Sequence, residues 1–340
     1  MSSLSPRVTF IVPEEFQRTG SDEHYHLFDV NAVQQITQLI NPDFVLRVGD
    51  DVQVAQFDQQ RPLSVGERSL ESPSSKSIYK HDVPEPVEMG TDGLIVQSPS
   101  LQSRSGSTAA HGIRFIRIKS GENPRSGLSE NQRAWLSNQL ETAQEHAERV
   151  VVLHDEYPSR TTEEFTGVGI DGWRELMTSD RPVVVVCGHT HYWRVANDGL
   201  QVSLAVRSMR DQQDRVPGYL IGHLEGDDFA AIYRTALDCG PAVMITYPRD
   251  QLLSIGPQHA VSPDDAIRVR IWSAAPLVQV TGVLDEELGL ELQHTGDNLW
   301  TGSLTESPLQ RGMHSLRVVA RSNDGLSSCH EVQFRFDPTC

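Results

Sequence analysis

Cysteine, aromatic residues and positive charge are all scarce in this sequence. Its four cysteines (Cys187, Cys239, Cys329 and Cys340) stand apart without Cys-x-x-Cys spacing. That argues against a disulfide framework and fits reduced thiols, so a cytoplasmic location is expected. Lysine and arginine together number 29 against 46 acidic residues, a net charge of −17. Proteins that grip a phosphate backbone carry a basic footprint, so no nucleic-acid partner is expected. An anionic substrate would need local positive charge, which a metal ion can supply. No apolar run approaches the roughly 18 residues of a membrane-spanning helix. The opening "MSSLSPRVTFIV" has one arginine and a very short apolar run, unlike a signal peptide. Hydrophobic content of 38% is low-normal for a soluble protein, and 340 residues are long enough for two cores.

Within residues 1–238, strands alternate with helical patterns. "RVTFIVPEE" predicts a strand over Val8–Val12, broken by Pro13. Val30, Val33, Ile36 and Ile40 then recur at helical spacing and stop at Asn41-Pro42. "DFVLRVGDD" reads as a strand leading to Gly49 and Asp50, and "HGIRFIRIKSG" as another. Ser129-Glu130-Asn131-Gln132 forms a capping box for a helix whose Trp135, Leu136, Leu140, Ala143 and Ala147 share one face. "RVVVLHDEYP" predicts a strand ending at His154, and a helix around Trp173–Met177 precedes the valine run Val183–Val186. This alternation implies α/β layers with a largely parallel core. Residues 51 to about 110 are serine-rich and aperiodic and read as long loops. From about Pro241, short alternating segments such as "AIRVRIWS", "HSLRVVARS" and "EVQFRFD" are separated by turn residues. They predict an antiparallel β-sandwich over 241–340, with "ALDCGPAVMITYPRD" as connector and Trp272 and Trp300 in or near the second core.

The chemistry-bearing residues sit just past predicted strand ends. Gly188 permits a sharp turn after the valine strand, and His189 and His191 follow, one residue apart. A polar turn is the plain reading of that pair. Asp50 and His154 occupy equivalent positions after two other strands. In a parallel sheet such ends share one edge, so these side chains can converge there. One carboxylate and three imidazoles suit a borderline divalent metal such as manganese, iron or zinc.

At these residues the sequence resembles the calcineurin-like metallophosphoesterase superfamily. "VGDD" matches its Gly-Asp block, "VVVLHDEYP" its lone-histidine block and "CGHTH" its Gly-His-x-His block, in the family's order. "GIRFIRIKSGENPRSGLSENQRAWLSNQL" is similar to its strand followed by a Gln-x-x-Trp-Leu helix. The resemblance covers roughly residues 7–238. Residues 241–340 resemble the immunoglobulin-like β-sandwich that follows this domain in a group of transmembrane calcineurin-like proteins, without their membrane segments. It implies a layered α/β phosphoesterase domain with Asp50 bridging two metals. His154 and His189 would then ligate one metal and His191 the other. The implied activity is hydrolysis of a small phosphorylated substrate, monoester or diester, by metal-activated water.

Two blocks depart from the family pattern. Where Asp-x-His should follow the first strand, the chain reads Pro13-Glu14-Glu15, and an Asp22-Glu23-His24 triplet comes about nine residues late. Glu14 or Glu15 is the alternative oxygen ligand there. The Gly-Asn-His block has its best counterpart in Gly90-Thr91-Asp92-Gly93, which puts Asp92 in the place of the family's proton-transferring histidine. A carboxyl that titrates near about pH 4 needs strong burial to act as an acid at neutral pH. One metal position thus keeps Asp50, His154 and His189, while the other keeps only Asp50 and His191. Two readings follow: a divergent metal-dependent phosphohydrolase, or a phosphoesterase fold retained as an inactive binding or scaffolding module.

Overall fold

The computed structural model describes residues 7–13, 31–32, 34–46, 48, 106–118, 130–154, 183–188, 193–197, 199, 201–207, 218–226, 228–254, 260–304 and 309–338. The expected helix around Trp173–Met177 and the capping residue Ser129 lie outside them.

Two sheets stack face to face. The first has the order β10-β9-β1-β2, with β1 Arg7–Pro13, β2 Phe44–Val45, β9 Gly218–Glu225 and β10 Asp228–Thr235. Strand β1 runs parallel to β2 and antiparallel to β9. The second has the order β3-β4-β5-β6-β8-β7, formed by β3 Gly106–Ala110, β4 Ile113–Ile118, β5 Arg149–His154, β6 Val183–Cys187, β7 Arg194–Asn197 and β8 Gln201–Ala205. Strands β4, β5, β6 and β8 are mutually parallel. Between the sheets lies one core, to which Val8, Phe10, Val151, Leu153, Val184 and Val186 contribute. The alternate residues Val150, Val152, Val183 and Val185 face the other way, against Leu136, Leu140 and Ala143 of the helix α1 (Glu130–Glu145). Burial on both faces explains why β5 and β6 read as unbroken apolar runs rather than alternating ones.

Several expectations are corrected here. Pro13 does not break the first strand but ends it, in register with Tyr219, because a terminal position tolerates a missing N–H. Part of the serine-rich stretch is strand β3, which pairs with β4. His111 and Gly112, at φ 53° and 73°, make the tight turn between them. Ala147 does not share the buried helix face. It is exposed, with a φ of 58° beyond the end of α1. The segment Gln35–Ile40 is a π-helix, and Asn41 at φ 47° stops it by returning its N–H to the Ile36 carbonyl.

The antiparallel strands expected after Pro241 are present, starting within the supposed connector. Strands β11 (Ala242–Tyr247), β12 (Ala266–Trp272), β16 (Leu299–Ser303) and β15 (Gln293–Gly296) form one sheet. Strands β14 (Leu288–Glu291), β13 (Leu277–Leu284), β17 (Gly312–Ser322) and β18 (Ser327–Phe336) form another. Residues from both sheets, including Val269, Ile271, Val318 and Phe334, share one core. Two hairpins turn through paired positive-φ residues, Asp285-Glu286 and Asp297-Asn298, which suits the strand twist. Trp300 packs partly buried against this core.

Trp272 instead joins Ile11, Tyr219 and Met244 behind the first sheet. Alternation on β12 sends Ile267, Val269 and Ile271 one way and Arg268, Arg270 and Trp272 the other. The even-numbered residues line the seam with the first sheet. There Arg268 reaches Asp228 and lies 3.7 Å from Glu225, and Arg270 Nε donates to His223 Nε2 at 3.2 Å.

Candidate metal site

His154 is the one sequence-predicted ligand within the described residues. It ends β5 with only 4% of its surface exposed. Its in-register neighbours are Ile118 at the end of β4 and Cys187 at the end of β6. The His154 carbonyl accepts the Gly188 N–H at 3.3 Å, and the Cys187 carbonyl accepts that of Val206 at 2.9 Å. Three parallel strands therefore finish at one level. Of these, β6 runs straight into Gly188, which is buried. Asp50, Asp92, His189, His191, Glu14, Glu15, Asp22 and His24 lie outside the described residues. Among the described residues, no three His, Cys, Asp or Glu side chains are grouped to hold a metal ion.

Contacts between the sheets show that their parallel strands run the same way. At one edge Phe44, the first residue of β2, meets the His111 ring at 5.8 Å and Phe115 at 5.4 Å, near the start of β4. At the other edge Tyr233 is in register with Leu220, which is in register with Val12 near the end of β1. The guanidinium of Arg207, two residues past β8, lies 5.5 Å from the centre of the Tyr233 ring. Trp193 meets the same ring at 5.5 Å. The carboxyl ends of β1, β5, β6 and β8 consequently open onto one edge, the arrangement in which α/β sheets bind ligands.

A titratable cluster lies at the seam behind the first sheet. His223 is 1% exposed and shares a hydrogen bond with Thr9 Oγ1 at 3.0 Å through Nδ1. Since its Nε2 accepts from Arg270, the proton belongs on Nδ1. Burial, and then the Arg270 charge, hold this imidazole below its usual range in spite of Glu225. The Glu225 carboxyl is held below its usual range by Arg268 and Arg7 against the effect of burial, while the unprotonated His223 Nε2, 3.8 Å away, gives it no hydrogen bond. These groups brace the seam.

Sequence reasoning missed Arg207, Tyr233 and Trp193 at the ligand edge. Arg207 carried a signal of the same kind as His154, a polar residue just past the buried strand "QVSLAV". Tyr233 had none, because only the register of β10 brings it to that level.

No family model matches the chain. No curated protein matches it significantly. Solved structures with a likeness to it include phosphatases and a predicted phosphoesterase, and also a mannanase. A dimetal phosphatase from Danio rerio shares 13% identity over 69% of this chain and 98% of its own, at a TM-score of 0.49. A purple acid phosphatase from yellow lupin seeds shares 12% over 69% and 52%, at 0.45. Vps29 from Entamoeba histolytica, complexed with zinc, shares 13% over 68% and 93%, at 0.32.

Proposed function

We propose that this chain is a divergent calcineurin-like metallophosphoesterase that cleaves a small phosphomonoester or phosphodiester. In this reading residues 1–238 are the catalytic domain, residues 241–340 an immunoglobulin-like β-sandwich, and the protein works in the cytoplasm. The carrying observation is the buried His154 at the end of β5, beside the β6 end that leads into Gly188-His189-Thr190-His191. A ligand set of Asp50, His154, His189 and His191 suits manganese, iron or zinc, with the position held by Asp50, His154 and His189 the better furnished. The described part of the site fits such an ion, since a buried imidazole at an open strand edge can give a nitrogen while its own carbonyl is tied to Gly188. A bound divalent metal supplies Lewis acidity and a water of lowered pKa. The chain's own contribution is to orient these ligands and to offer a proton donor for the leaving group, a role that falls to Asp92.

Loss of the Asp-x-His and Gly-Asn-His blocks favours a second reading, an inactive phosphoesterase-fold binding module. One experiment separates them. Purified protein is analysed for metals and assayed with an aryl phosphomonoester and an aryl phosphodiester, with and without added manganese. The hydrolase reading expects turnover that chelation removes and metal restores, and that His154→Ala and His189→Ala each abolish together with metal binding. Two of three ligands are too few to hold the ion. Absence of turnover under all these conditions refutes the hydrolase reading, and turnover surviving both substitutions refutes this metal site.

A further inference from the structure

The chain is strongly acidic, so an anionic substrate must meet positive charge placed locally. At the ligand edge Arg207 has the position for it. It follows β8, the strand directly hydrogen-bonded to β6, and Val206 before it is tied to the Cys187 carbonyl. Neighbouring strands lie about 4.8 Å apart and residues along a strand about 3.3 Å, so Arg207 stands one strand across from β6 and two from β5, about 7 Å beyond the level of Cys187 and His154. Its guanidinium rests beside the Tyr233 ring at 5.5 Å. Alternation along β10 puts Phe229 and Ala231 into the core between the sheets, and Tyr233 follows them on that face. Trp193, from the other sheet, meets Tyr233 with its plane tilted by 32°. Both rings line a cavity of about 450 Å³ that runs between β7, β10 and the C-terminal sheets. That volume holds a single-ring or fused-ring group, and pockets of this size prefer such junctions.

We infer that Arg207 binds the phosphate of the substrate and that Trp193 and Tyr233 form the wall against which its organic part stacks. The substrate class is then a phosphate ester bearing an aromatic or heteroaromatic group. This rests on the hydrolase reading and adds to it a specificity element. Arg207 supplies a planar, permanently charged donor set suited to phosphate oxygens. The two rings supply faces for planar groups, beside the polar Arg234, Asp238, Asp250, Ser328 and His330 of the same cavity.

The test uses the full chain with manganese and compares phenyl phosphate with ethyl phosphate. Arg207→Gln is expected to raise KM for both esters by about 10- to 100-fold, the loss of a charge-assisted contact, and Arg207→Lys to recover part of it. Trp193→Leu and Tyr233→Leu are expected to lower the preference for phenyl over ethyl phosphate by about 5-fold or more. Thermal unfolding confirms that each variant is folded, and Trp193→Leu decides the matter if Tyr233→Leu is not. An unchanged KM in Arg207→Gln overturns the anion role, and an unchanged preference overturns the aromatic wall, while the hydrolase reading stands. If the parent hydrolyses neither of these esters, the hydrolase reading falls only if the aryl phosphodiester is not turned over either, and inorganic phosphate decides the anion role by calorimetric titration. Binding weakened at least about 10-fold by Arg207→Gln upholds it; equal binding, or none to the parent, overturns it.

Discussion

Acid should weaken the packing of the C-terminal sheets through one histidine. His330, on β18, is half-buried, and its Nδ1 accepts the Ile245 N–H of β11 at 3.1 Å. That bond fixes the neutral ring with its proton on Nε2. Burial pushes its pKa down to about 4, whereas an unfolded histidine titrates near 6.5. The unfolded chain therefore binds more protons between these values, so stability is full above about pH 6.5 and falls as pH drops toward 4. At about 1.36 kcal/mol per unit, the whole window is worth about 3 kcal/mol. In His330→Asn the amide oxygen replaces Nδ1 as acceptor and nothing titrates. Urea unfolding followed by tryptophan fluorescence at pH 7.5 and 4.5 gives the comparison. The variant is expected to be the less stable at pH 7.5, having lost ring contacts, yet to lose about 2–3 kcal/mol less than the parent on acidification. The carboxylates titrate in both proteins and cancel. Equal acid losses in parent and variant would refute the reasoning.

Two further perturbations address the first sheet. A Cβ built on Gly222 would lie 2.4 Å from the Phe10 ring, so Gly222→Ala should cost about 1–3 kcal/mol by overpacking; urea melts should show Phe10→Leu costing less in the Gly222→Ala background than alone. The Glu225 carboxyl, held below its usual range by Arg268 and Arg7, contributes stability that is present above its unfolded value of about 4.5 and is lost as pH falls through its folded value. Glu225→Gln should thus cost about 1 kcal/mol at pH 7 through its pairs with Arg7 and Arg268, a difference that melts at successively lower pH should show closing below the unfolded value.

What was legible in the sequence was whatever local pattern determines. The valines of β5 and β6 announce strands buried on both faces, and a polar residue at the end of such a strand must lie at a sheet edge. His154 follows from those two facts. Strand β3 was hidden because Gly106, Ser107 and Thr108 carry little apolar signal, and the strand exists by pairing with β4. Trp272 was assigned to the wrong core for a different reason. The alternation on β12 was plain, but which face meets the neighbouring core and which the seam depends on how the C-terminal sheets dock. Arg207 and Tyr233 belong to different sheets and meet only through the registers of β8 and β10. No local window contains that information.

The seam links the C-terminal sheets to the ligand edge. Among the described residues, strand β10 is the outer strand of its sheet and pairs with β9 alone, and an outer strand with one partner is the easiest to shift. It is pinned instead from behind, at both ends. Asp228 at its start is held by Arg249 and Arg268. Near its end the buried Arg234 donates to the Asp238 and Gly240 carbonyls at 2.9 and 2.8 Å and to Gln35 at 3.0 Å. Gln35 in turn accepts the Tyr219 hydroxyl at 2.8 Å. Tyr233 sits next to Arg234, so the same contacts that dock β11 and β12 behind the sheet also fix the ring in front of it. A charged residue as buried as Arg234 keeps its place only when its donors are satisfied, and here the partners are carbonyls of the segment that leads into β11. The C-terminal sheets thereby hold the strand that carries Tyr233, one wall of the site proposed above.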